Sequence, residues 1–216
     1  MSSQVKARAY NSPRRREQAA ATRLAILDAA RELFERDGYA ATTIAAVANR
    51  AGVAEKTVYL AFENKPGLFR GTFIRALRGD DDEIPVAQKE WFREVLEAED
   101  PKRVLELNAR NSRRLKSQIG RLGAVFRSAA AADPEIQGFW NERVGSDFRD
   151  NQRVVVQRLA KLGSLRKDLT IDRAADILWT LNHPDAWSHL VEERGWKPEE
   201  YERWLAESSC AQLLAG

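Results

Sequence analysis

Three neighbouring side chains, Lys56, Thr57 and Tyr59, carry N–H or O–H groups that donate hydrogen bonds. Donors packed into one short stretch suit the phosphate oxygens and base edges of nucleic acid. Lys65 stands a few residues on, at the start of a helical pattern, where free backbone N–H groups and an ammonium can hold one phosphate together. Upstream, Arg14, Arg15 and Arg16 form an unbroken cationic run, which adds affinity for a polyanion without reading its sequence.

Other chemistry is thinly represented. His183 and His189 are the only histidines. His183 precedes Pro184 and reads as a helix-boundary residue. His189 has Asp185, Glu192 and Glu193 at helical spacing, a pattern that fits a solvated face with weak ion pairs better than a metal site. No nucleophile elbow, phosphate loop or paired catalytic carboxylate is found, so no enzyme, metal or cofactor is expected.

The elements that must position the donors follow from apolar spacing. From Arg16 to Arg36, Leu24, Leu27, Ala30 and Phe34, widened by Ile26 and Leu33, keep helical rhythm, and Asp37-Gly38 closes it. Thr43 is a good N-cap for a short helix whose Ile44, Val47, Ala48 and Ala51 make one apolar face. Gly52 permits a sharp turn, Val53 is buried beneath it, and a second short helix over 55–62 turns Val58 and Phe62 inward. Helix, glycine turn and helix, with apolar residues clamping the crossing, make a helix-turn-helix. A further helix runs from Lys65 to Arg78.

An acidic run, Asp80-Asp81-Asp82-Glu83, closed by Pro85, marks the expected domain boundary. Beyond it helices are expected at about 86–98, 102–119, 120–132, 135–162 with a break near Gly145, 172–182, 184–194 and 198–214. Pro101, Pro134, Pro184 and Pro198 suit first helical positions. No alternating strand pattern is present, so the fold class is all-α. On the 102–119 helix Val104, Asn108, Asn111, Leu115 and Ile119 share a face. Amides in an apolar stripe need partners, either a ligand or polar neighbours in the core. Leu122, Phe126, Val155, Trp179 and Asn182 are the facing candidates, and such a pocket suits a flat or lipophilic ligand. Trp187, Leu190 and Val191 form one apolar edge near the C-terminus; Tyr201, Trp204, Leu205 and Ser208 form another. These edges either pack on their own domain or join two subunits through a four-helix bundle.

Composition sets the frame. The 216 residues are 44% hydrophobic and 31% charged, long enough for one large or two small domains without disulfides. Cys210 is the single cysteine, which excludes an intramolecular disulfide and a thiolate cluster. No apolar run approaches the ~18 residues of a membrane span, and a cytoplasmic protein is expected. Residues 1–70 carry a net charge of +5 and the remainder −2, so an anionic partner is expected for the first third.

The stretch Thr42-Thr43-Ile44, Val47-Ala48, Ala51-Gly52-Val53, Thr57-Val58-Tyr59, Phe62 and Lys65 resembles the TetR family of bacterial transcriptional regulators. Glu32-Leu33-Phe34 and Gly38-Tyr39 fit the same family's first helix and its exit. Asp133-Pro134-Glu135, Ala175 to Trp179, Arg194-Gly195-Trp196 and Glu200 to Leu205 look like the regulatory domain of actinobacterial members. The resemblance implies a homodimer on a pseudo-palindromic operator, most often a repressor, released by a small effector. Residues 1–16, without periodicity and ended by the three arginines, read as a basic disordered arm; beyond it the resemblance implies a helix-turn-helix domain (17–65), a linking helix (66–79) and a helical effector-binding and dimerisation domain (80–216). Transferred position by position, Thr43 contacts phosphate; Glu55, Lys56 and Thr57 face base edges or phosphate; Tyr59 and Lys65 hold the backbone; Ala45 replaces a longer base-reading side chain. Ala54 departs from a capping serine, and Ala61 from a common histidine. Glu55 implies a C·G preference opposite it. Two rivals remain: a helical small-molecule binder or enzyme whose head no longer reads DNA, and a DNA-binding assembly factor without an effector.

Overall fold

The computed structural model describes residues 13–79 and 89–215. The described residues are helical, with one isolated bridge between Leu165 and Leu214. They fall into two units that divide between Thr72 and Phe73, inside the fourth helix.

In the first unit α1 runs Pro13–Ala41, broken at Gly38, which is not helical. Arg14, Arg15 and Arg16 therefore occupy the exposed first turn of α1, which corrects the expectation of an arm through residue 16. Pro13 explains the early start, since proline is pre-organised for a first helical turn. Residues 1–12 of the expected arm lie outside the described residues. Next come α2 (Ile44–Ala51), α3 (Glu55–Phe62) and α4 (Lys65–Arg78). Their apolar faces close one core: Ile26, Leu27, Leu33 and Phe34 from α1, Ile44 and Val47 from α2, Val58 and Phe62 from α3, Leu68 and Phe69 from α4. Phe34 and Phe69 meet edge to face at 5.0 Å, a favoured aromatic geometry.

The second unit contains the rest of α4, then α5 (Glu90–Glu97), α6 (Pro101–Ile119), α7 (Arg121–Ala132), α8 (Pro134–Trp140), α9 (Phe148–Lys161), α10 (Ile171–Leu181), α11 (Pro184–Trp187) and α12 (Pro198–Leu213). The expected long helix over 135–162 is α8 and α9 joined by a π-helical stretch, Asn141–Asp147, that contains Gly145. A second π-helical stretch, Ser188–Glu193, extends α11. Pro101, Pro134, Pro184 and Pro198 all open helices. Asp100 and Asp133 cap the first two through their carboxylates, satisfying N–H groups that proline cannot replace. The larger core gathers Phe92, Val95, Val104, Leu105, Val155, Leu159, Leu178 and Leu213 from α5, α6, α9, α10 and α12. The acidic run expected at the domain boundary lies outside the described residues.

Candidate functional site

The first unit holds its outward donors by a sequence of local devices. The Thr43 hydroxyl accepts from the Ala46 N–H at 3.1 Å, which caps α2 and leaves the hydroxyl proton as a donor. At the other end Gly52 is left-handed (φ 68°), its N–H bonds Asn49 O, and the Val53 N–H bonds Ala48 O at 3.0 Å. This pair of bonds is a Schellman closure, and it sets the turn between the two short helices. Val53 is half-buried there. Ala54 occupies the N-cap of α3 without a side-chain bond, so the first turn of α3 has only Glu55 to complement its dipole.

The exit from α3 is tighter still. Glu63 sits at φ 66° and ψ −54°, and the Asn64 N–H bonds Phe62 O at 2.7 Å, the geometry of a strained γ-turn. Asn64 then caps α4 by accepting from the Gly67 N–H at 2.7 Å. A Cβ on Gly67 would lie 2.2 Å from Phe62 O, so only glycine fits. Arg23 on α1 secures the same corner, donating to Ala61 O at 2.7 Å and lying 4.1 Å over the Phe62 ring. A cation on the last carbonyls of a helix also meets its negative end. Sequence reasoning passes over Arg23, because a lone arginine on a helix reads as solvated.

With the helices fixed, Thr43, Ala45, Glu55, Lys56 and Tyr59 are exposed and Thr57 is half-buried. Leu60, absent from the expected set, is exposed as well. Lys65 is half-buried; its Nζ donates to Ala40 O at 3.1 Å and lies 4.5 Å over the Tyr39 ring. This anchoring orients the Lys65 side chain at the start of α4.

In the second unit the polar groups turn inward. Asn108 donates to Gln152 Oε1 at 3.0 Å, Asn111 to Trp91 O at 2.9 Å, and Asn182 to Gln152 Oε1 at 3.3 Å. The Ser112 hydroxyl donates to Asn182 Oδ1. Lys116 Nζ completes the network with Asn182 O at 2.8 Å, Asn182 Oδ1 at 2.7 Å and the Tyr201 hydroxyl at 2.6 Å. Burial pulls the Lys116 amine well below its ordinary value and pushes the Tyr201 phenol up. Both shifts follow from enclosing a potential charge in a low-dielectric surround. The spacing of Asn108, Ser112 and Lys116, four residues apart each time, carries this network in the sequence. Leu122, Phe126 and Val155 are fully buried. Trp179 donates its indole N–H to Val144 O at 2.8 Å. The expected pocket residues other than the half-buried Trp179 are thus buried in this structure, with every amide named for the pocket bonded to the protein itself.

Three expected interface residues need correction. Trp187, Tyr201 and Leu205 are buried against Ala109 in a second core cluster of this chain, because α12 lays its apolar stripe on α6. Leu190, Val191, Trp204 and Ser208 keep partial exposure. Between α6 and α12 lies a surface groove of about 630 Å³ with charged walls, including Arg110, Arg113, Glu202 and Arg203. Arg113 pairs there with Glu202 and, at 3.6 Å, with Glu199. It is an ion-paired seam, and none of the expected pocket residues lines it. His183 Nδ1 accepts from the Asp185 N–H at 3.2 Å, capping α11, while His189 bonds Glu193 at 3.1 Å on an exposed face.

Residues 26–72 match the family model of bacterial regulatory proteins of the tetR family. The N-terminal unit carries the TetR-family helix-turn-helix. An uncharacterized HTH-type transcriptional regulator of Bacillus subtilis, YvkB, is 38% identical over 65 residues, which cover 26% of this chain and 34% of that relative's length. Among solved structures, the chain is similar to NalD, the secondary repressor of the MexAB-OprM multidrug efflux pump in Pseudomonas aeruginosa. The identity is 24% over 91% of this chain and 98% of NalD, with a TM-score of 0.70. SmeT, solved as a triclosan complex, is 19% identical over 90% of this chain and 92% of its own, also with a TM-score of 0.70. At these identities the likeness extends the TetR-type fold to the second unit, and no further.

Proposed function

We propose that this chain is a ligand-responsive transcriptional regulator, a repressor, that binds a pseudo-palindromic DNA operator as a homodimer. The observation that carries the reading is the outward display of Thr43, Lys56 and Tyr59, with Thr57 beside them, on a TetR-type helix pair. In this reading α3 enters the major groove, Glu55, Lys56 and Thr57 face base edges or phosphate, and Ala45 lies beside them. Thr43, Tyr59 and Lys65 hold the backbone, and Arg14, Arg15 and Arg16 add salt-dependent affinity. Dimerisation uses the part-exposed edge of Leu190, Val191, Trp204 and Ser208. The work is done in the cytoplasm and includes no catalytic step.

The effector belongs to the second unit, and its class is small and apolar or aromatic. Support comes from the aromatic and aliphatic core beside Asn111, which bonds Trp91 O, and from the triclosan complex of SmeT. A ligand shifts the equilibrium only by its differential affinity for the two states. Binding here would have to open the core and exchange an internal amide bond for one to the ligand. One observation favours the second reading, a DNA-binding factor without an effector: Asn108, Asn111 and Asn182 are all bonded within the chain.

Selection of random duplex DNA by the purified full chain, at near-physiological salt with competitor, tests the reading. It predicts an enriched inverted repeat whose half-sites lie one helical turn, about 34–36 Å, apart. Folded protein that enriches no sequence would overturn it. Loss of the selected duplex on adding a metabolite extract separates the effector reading from its rival.

A further inference from the structure

Among the described residues, Leu60 and Tyr59 are the large hydrophobic side chains left exposed, and both are on α3. Leu60 is 78% exposed, so folding gains almost nothing from its isobutyl group. Its direction is fixed by the buried side of the helix. Val58 and Phe62 point into the core at 0% and 5% exposure, and each is two residues from Leu60. At 3.6 residues per turn, two residues are about 200° apart, so Leu60 projects directly away from both. Lys56 and Thr57 stand four and three residues before it, on the same helical face. Leu60 thus occupies the centre of the face whose polar members are assigned to base edges.

A leucine there can neither donate nor accept a hydrogen bond. On the edges that base pairs present in the major groove, the group that rewards an aliphatic side chain is the C5-methyl of thymine. Cytosine, the other pyrimidine, presents a bare C5 and an amino donor that a leucine would desolvate without replacing. Resting on the DNA-binding reading above, we infer that Leu60 is a specificity-determining residue that reads one thymine methyl in each operator half-site. Neighbouring donors fix the register, and Leu60 supplies a T-over-C preference that the polar residues cannot.

The test uses the inverted repeat selected by the full-length protein. Each thymine pair related by the two-fold is replaced in turn by uracil, which deletes the methyl and keeps the pairing. At one position the wild-type protein should lose about four-fold in affinity per half-site, the weight of one buried methyl. Leu60→Ala should bind the thymine and uracil duplexes equally and select that position without T preference, with its unfolding midpoint unchanged. Equal wild-type affinity for thymine and uracil at every position would overturn the inference. So would a Leu60→Ala protein that keeps the wild-type thymine-to-uracil ratio. Failure of the wild-type protein to enrich any sequence is a different result: it removes the DNA-binding reading, and this inference with it.

Discussion

The two units use polar side chains in opposite directions. In the first, Thr43, Lys56 and Tyr59 face solvent around an aliphatic and aromatic core. In the second, Asn108, Ser112, Gln152, Asn182 and Lys116 bond one another inside the core. Outward donors cost the fold little when removed and have spare capacity for a partner. Inward ones are committed, because each is the other's replacement for water. The contrast separates residues that bind from residues that build, and mutation should sort them in the same way.

The largest effect should come from the buried network. Asn182→Ala takes from Ser112 and Lys116 the Oδ1 acceptor they share and from Gln152 one of its two amide donors, while Lys116 keeps Asn182 O and the Tyr201 hydroxyl; each lost partner inside the core costs about 1–3 kcal/mol. The expected loss in chemical unfolding is about 3–5 kcal/mol; a loss below about 1 kcal/mol would mean the network is not holding the unit together. The first unit supplies the mirror image. Lys56→Ala with Thr57→Ala should leave the unfolding midpoint in place while weakening operator binding roughly 10- to 100-fold, about 1–3 kcal/mol. A shifted midpoint with unchanged binding would invert the contrast.

Gly67→Ala tests whether the corner behind α3 is as tight as its geometry. The added Cβ falls 2.2 Å from Phe62 O, and overpacking of this sort costs about 1–3 kcal/mol. Differential scanning calorimetry should show the loss, and unchanged stability would show that the corner yields freely.

The Lys116 amine adds a pH signature. Its folded value is depressed by burial, so the unfolded chain binds the proton more readily. Stability from this group is therefore lost as pH falls below the ordinary lysine value, and regained as pH rises towards it. Between about pH 8 and 10 the wild type should gain stability relative to Lys116→Met. Parallel curves for the two proteins would place the amine in water. The smallest change is at a cap: Thr43→Ala should cost about 1 kcal/mol, and Ala54→Ser, which offers α3 the missing hydroxyl, should return a similar amount.

The same contrast explains what could be read from the sequence. The helices over 44–51, 55–62 and 65–78 are legible because caps, glycine turns and apolar spacing agree within a few residues, and local rules settle them. The outward position of Lys56 follows once Val58 and Phe62 are placed inward. In the second unit the spacing of Tyr201, Trp204 and Leu205 shows an apolar face but not which neighbour covers it. The answer is α6 of the same chain, a long-range contact that periodicity does not encode. Lys116 is missed because lysine on a helix normally keeps its charge in water. Of the two π-helical stretches, the first shows in the sequence only as the break at Gly145 and the second leaves no clear compositional mark. Leu60 is outward by the same phase that places Lys56, and it is passed over because a side chain without a hydrogen-bonding group does not stand out among donors.

The most direct test of the account is a pair of binding isotherms for the full-length protein at near-physiological salt. One uses the enriched inverted repeat, the other a scrambled duplex of the same composition. A TetR-type head that reads bases through α3 should prefer the repeat by about 10³-fold or more. Affinities within a few-fold of each other would contradict it, reducing the outward donors of the first unit to a solvated surface.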